Sequence, residues 1–197
     1  MGLVPLLLFL AAGLTAPFVL RARKKPYQTY AVNNARNIHK ALSEFQAKYG
    51  SYPSPETIPL VIKETGTTLS LGTKSSNDFF RQLIATGVDE RNFESGSKKF
   101  RYVGKELKKG EGGFAYIVGM TEADSLKAPL VIAPVIPGKK LFDPEPFDKK
   151  VVMLRIDGSA TSLTLRKDGK IVLGGGKVID PANPMWNGKP ITISWPE

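Results

Sequence analysis

No cysteine occurs in this chain of 197 residues, and histidine occurs once, at His39. Disulfides, thiolate metal sites and cysteine nucleophiles are therefore excluded. One imidazole cannot form a cluster of histidine ligands, nor find a second histidine as its acid/base partner. No acidic residue precedes Glu44, so nothing offsets the basic run Arg21, Arg23, Lys24 and Lys25. Phosphate-cradle patterns are missing too. Gly110 to Gly113 and Gly174 to Gly176 fit turns, not a dinucleotide fingerprint or a phosphate loop. No internal repeat or low-complexity tract interrupts the chain. With 42% hydrophobic and 23% charged residues, it has the make-up of a folded domain with a core of its own.

The net charge is +10, and the four cations of residues 21–25 leave +6 for the rest. Those four follow an uncharged stretch, Leu3 to Leu20, that includes Leu7, Phe9, Leu14 and Phe18. As a helix its 18 residues would reach about 27 Å, close to the hydrocarbon thickness of a bilayer. Residues 1–25 are therefore read as a membrane anchor with a basic flank, and residues 26–197 as one folded domain. A cleaved secretory signal and a buried core helix stay open as alternatives. Pro17, directly after Leu14-Thr15-Ala16, argues against cleavage there.

Pro26 reads as a break between the flank and the next helix. From Ala31 the apolar residues Ala35, Ile38, Leu42, Phe45 and Tyr49 recur at alternating intervals of four and three. That is one stripe along a helix, ended by Gly50 and Pro53. Leu60 to Glu64 fits a short helix or an extended piece. A further helix over Asn77 to Ala85 is capped by Ser76 or Asn77, ended by Gly87, and buries Phe79, Phe80, Leu83 and Ile84. Beyond Glu90 short β-prone runs dominate: Phe100 to Val103, Phe114 to Gly119, Leu130 to Ile136, and Ile191 to Trp195. Across Val151 to Leu173, Asp157-Gly158 and Asp168-Gly169 predict two hairpin turns with positive φ at both central residues. Helices first and strands after them indicate an α+β fold, a long helix packed on an antiparallel sheet.

The stretch Asn34 to Pro53, ending in Tyr49-Gly50-Ser51-Tyr52-Pro53, resembles the region after the anchor in type IV pilins and type II secretion pseudopilins. Ser76 to Gly87 is similar to the second helical segment of pilin-like secretion proteins, and Val151 to Leu165 to their paired strands. The resemblance implies a single-pass membrane protein with its domain in the periplasm or at the cell surface. The positive-inside rule points the other way and would keep the domain cytoplasmic. The resemblance also implies other pilin-like or secretion-system subunits as partners. The position four on from Leu3 is Leu7, where the family carries a glutamate used in filament docking. An accessory or tip subunit is thus expected in preference to a major pilin.

No acid/base pair, nucleophile elbow or metal box stands out. The chain is read as a non-enzyme, with no catalytic, cofactor-binding or metal-ligating residue. His39 falls beside the apolar stripe, at a boundary position. The acidic run around Asp143, Glu145 and Asp148 reads as a solvated loop. Lys98, Lys99, Arg101 and Lys105, interleaved with Phe100 and Tyr102, form a basic cluster suited to an anionic glycan. An anchored module binding such a polymer is the alternative function, and nucleic acid is not the expected partner.

Overall fold

A computed structural model describes residues 3–97, 99–100, 105–137, 139, 141–173, 176–178, 180 and 182–197, and for residues 3–25 the helical backbone alone. One helix, α1, runs from Leu3 to Tyr49 without interruption. The break expected at Pro26 is absent. Proline removes one backbone hydrogen bond and crowds the preceding turn. A helix held by packing from Ala31 onward can carry that cost. Ala31, Ala35, Ile38 and Leu42 are fully buried, Phe45 nearly so, and Tyr49 partly. The stripe is thus the face that packs. Burial of each large apolar side chain contributes about 1.5–3 kcal/mol. The Gly50 N–H donates to the Gln46 carbonyl and closes the helix.

Two shorter helices follow, α2 (Ile58–Thr65) and α3 (Ser76–Ala85). The cap of α3 is Ser75, one residue before the earlier of the two expected caps. Its hydroxyl accepts from the Asp78 N–H, and the Asp78 carboxylate accepts from the Ser75 N–H in return. Serine and aspartate three apart satisfy two terminal donors at once. Phe79, Phe80 and Leu83 are buried as expected, and Ile84 is partly buried.

The strands are β1 (Ala115–Val118), β2 (Pro129–Ala133), β3 (Lys150–Arg155), β4 (Ala160–Thr164), β5 (Val172–Leu173), β6 (Gly176–Lys177) and β7 (Thr192–Ser194). Five of them form one sheet in the order β4-β3-β2-β1-β7, with every pair antiparallel. The fold is α+β, with a long amino-terminal helix on an antiparallel sheet. Helix α1 crosses β3 and β4. Four consecutive β3 residues, Val151 to Leu154, are buried. Successive strand residues point to opposite faces, so both faces of the sheet are covered. The same buried cluster takes in Phe142, Phe147, Ile171 and Val178 from segments without helix, and Trp186 from the short 3-10 helix Pro184–Trp186.

Three expectations change. The β3–β4 connection is a three-residue loop, not a two-residue one: Arg155 N–H donates to the Ser159 carbonyl, and Gly158 N–H to the Arg155 carbonyl. Only Gly158 has positive φ, at 79°. A type I turn closed by one left-handed residue needs glycine there and nowhere else. Arg166 to Lys170 repeats the arrangement around Gly169. The strand after that second turn leaves the main sheet, because β5 pairs with β6 in a separate ribbon. Phe100 is buried in a turn, and Arg101 to Val103, expected as the rest of a strand, lie outside the described residues.

Candidate interaction surface

The outward side of α1 carries polar and aromatic residues close to the basic flank. Tyr27 and Tyr30 are each 39% exposed, the aromatic side chains of α1 most open to solvent among the described residues. Tyr30 is tied by its hydroxyl to Glu94 (2.8 Å), and burial of its ring lifts its pKa. One turn further on, the Asn34 amide donates to the carbonyls of Arg91 and Glu94 at 3.0 and 2.9 Å. A Cβ at Gly96 would stand 3.0 Å from the Tyr27 carbonyl oxygen, so the 94–97 segment lies directly on the helix backbone. Ser95 N–H donates to the Gly112 carbonyl (3.0 Å), linking this segment to the chain entering β1.

At mid-helix, His39 Nε2 lies 3.1 Å from the Ile156 carbonyl oxygen. The ring is half-buried over the β3–β4 loop, the boundary position its place beside the stripe predicts. Near the helix end, Lys48 pairs with Glu64 of α2. Between that end of α1 and the segment after α3 lies an open groove of about 440 Å³, lined by Lys40, Glu44, Tyr49, Val88 and Asp89 among others. The Arg91 guanidinium beside Asp89 holds that carboxyl down at about 2.

The basic cluster of the sequence divides. Lys98 and Arg101 lie outside the described residues. Lys99 Nζ stands 2.8 Å from the Asp143 carboxylate, whose side chain is 1% exposed. That bond raises the pKa of Lys99 and fixes its ammonium in a pair. Lys105 is exposed. The acidic run divides as well: Asp143 is buried and its other oxygen accepts the Glu145 N–H, whereas Glu145 and Asp148 are exposed. Among the described residues, no group of three or more histidine, aspartate or glutamate side chains converges on a point.

Sequence reasoning passed over Arg81. Its guanidinium is buried and donates to the carbonyls of Ser70, Glu106 and Leu107 and to the Asp78 carboxylate. Glu197 stands 3.6 Å away. This hub joins α3 to three loop segments. It sits at the polar i+3 position of a helix whose apolar face drew the attention. No local spacing marks the carbonyls that meet it.

Among the residues whose side chains are described, no helix is long and apolar enough to cross a membrane. The side chains of Leu3, Leu7, Phe9, Leu14, Phe18 and Leu20, assigned to the anchor, lie outside that set. No family model, no curated protein and no solved structure matches the chain.

Proposed function

We propose that this chain is a non-enzymatic, membrane-anchored, pilin-like structural or interaction subunit, an accessory component of a type II secretion or type IV pilus-like assembly. The observation that carries the reading is the single helix of 47 residues from Leu3 to Tyr49. It would extend about 70 Å at 1.5 Å per residue. Among the residues whose side chains are described, its buried stripe begins at Ala31. The uncharged residues Leu3 to Leu20 continue the same rod well beyond the stripe. A rod seated on its own antiparallel sheet at one end, with an apolar sequence at the other, suits a bilayer and neighbouring helices. The soluble domain then stands outside the cytoplasm.

Protease digestion of spheroplasts tests this. Degradation of the domain in intact spheroplasts, with the chain retained in carbonate-washed membranes, is the expected result. Full protection of the domain would overturn its placement. The anionic-polymer alternative gains little from Lys99, whose ammonium is held by Asp143.

A further inference from the structure

The antiparallel pairing places the start of β1, the end of β2, the start of β3 and the end of β4 at one end of the sheet. That end is the one nearest the flank of α1. The Ser95 N–H bond to Gly112 leads into β1, and Gly96 lies on the Tyr27 backbone. The opposite end, at the β3–β4 loop, meets α1 at His39, about 13 Å further along the helix from Tyr30.

The flank-side end is rich in exposed cations. Lys139, Lys149, Lys150, Arg166 and Lys167 are all exposed there, in the loop after β2, at the start of β3 and in the turn after β4. Lys99 and Lys170 are there too, set against Asp143 and Asp168. The remaining acids of this end are Glu94, bonded to Tyr30, Glu145 and Asp148 in the loop before β3, and Glu111 and Glu197, which lie with Lys108 and Lys109 where β1 begins beside the end of β7. Cations therefore outnumber anions. In the sequence, Arg21, Arg23, Lys24 and Lys25 precede Tyr27 in the same helix. Exposed apolar groups share this end: Tyr27, Tyr30, and Leu141 at 51% exposure.

We infer that this end of the sheet is a seat for anionic phospholipid headgroups, which holds the domain down on the bilayer that α1 enters. The inference rests on the anchor reading above. Three features commit it to a lipid surface: continuity with the apolar segment of α1, the sign of the charge, and aromatic side chains at the junction. Tyrosines favour the headgroup level, where ring and hydroxyl find different surroundings. Basic residues close to a membrane surface are drawn to anionic lipid, each by about a factor of five in population, and the attraction fades within a Debye length.

The absence of cysteine allows a single probe. Thr164→Cys labels the flank-side end and Glu122→Cys the loop between β1 and β2 at the opposite end, each in the full-length chain with an environment-sensitive fluorophore. Proteoliposomes of phosphatidylcholine alone are compared with others containing phosphatidylglycerol, each with brominated lipid as quencher. Quenching of the Thr164→Cys label should rise with phosphatidylglycerol, while the Glu122→Cys label changes little. Arg166→Glu with Lys167→Glu should reduce the seated population at least tenfold, as should about 0.5 M salt. Equal quenching in both lipids, or a rise that survives the double charge reversal, overturns the inference. So does retention on a heparin-like resin through these residues without any lipid dependence. Carbonate-resistant flotation in both vesicle types reports separately on the anchor, so the two readings can fail independently.

Discussion

Arg81 Nη1 lies 2.5 Å from Asp78 Oδ1, three residues earlier on α3, and the two side chains are only 11% and 12% exposed. Asp78 also accepts the N–H groups of Lys74 and Ser75. The pair is thus both a helix cap and a hub for the loop carbonyls of Ser70, Glu106 and Leu107. Removing one member strands a buried charge, which costs about 3–5 kcal/mol. Arg81→Met should lower stability by that amount in urea unfolding. A loss below about 1 kcal/mol would mean that water reaches the pair.

Gly158 and His39 form a second coupled pair. A Cβ at Gly158 would stand 2.8 Å from His39 Cε1, and the residue holds φ of 79°. Gly158→Ala should therefore destabilise by about 1–3 kcal/mol, in part from left-handed backbone strain and in part from the clash. His39→Ala removes the clash and leaves the strain. In a double-mutant cycle the Gly158→Ala penalty should shrink by at least about 0.5 kcal/mol when His39 is absent. Strict additivity would show that the ring moves aside without cost.

These two pairs mark the limit of what was legible in the sequence. The stripe from Ala31 to Phe45 was readable because helical periodicity is local, and every member is buried. The Asp-Gly dipeptides located both turns, because glycine is needed for one left-handed residue. They did not reveal the loop length, which depends on strand twist and on Asp157 bonding the Ser159 N–H. The β1–β7 pairing and the departure of β5 from the main sheet are set by contacts distant in sequence. Arg81 was invisible for the same reason. Of the basic cluster, the sequence could show the charge of Lys99 but not the buried Asp143 that holds it.

Tyr52 gives an alkaline signature. Its side chain is 2% exposed, and burial, assisted by the Glu122 charge, pushes its phenol up to about 12. The neutral form is therefore favoured in the folded chain. An unfolded tyrosine ionises near pH 10. Its contribution is complete below pH 10 and is lost as pH rises from 10 to 12, on the order of 2 kcal/mol. Among the described residues the Tyr52 hydroxyl has no hydrogen-bond partner. Tyr52→Phe should then change stability at pH 7 by less than about 1 kcal/mol and flatten the fall between pH 10 and 12. Denaturant titrations across that range measure both, and an unchanged slope would assign the loss elsewhere, with Tyr116, also raised by burial, as the next candidate.

The amino-terminal segment can be separated from the domain by where a charge does its damage. Leu7 and Leu14 lie within the uncharged stretch, whereas among the residues whose side chains are described the buried stripe of α1 starts at Ala31. An arginine near the middle of a spanning helix costs about 2.5–3.5 kcal/mol on insertion scales. Leu7→Arg with Leu14→Arg should therefore release most of the chain from carbonate-washed membranes. The unfolding midpoint of the domain, followed through Trp186 and Trp195, should stay where it was, because under the anchor reading neither position belongs to the core that they report on. If the segment packed as a core helix, the opposite would follow. The midpoint would fall, since buried arginine lacks partners there, and the membrane fraction would be the same before and after substitution.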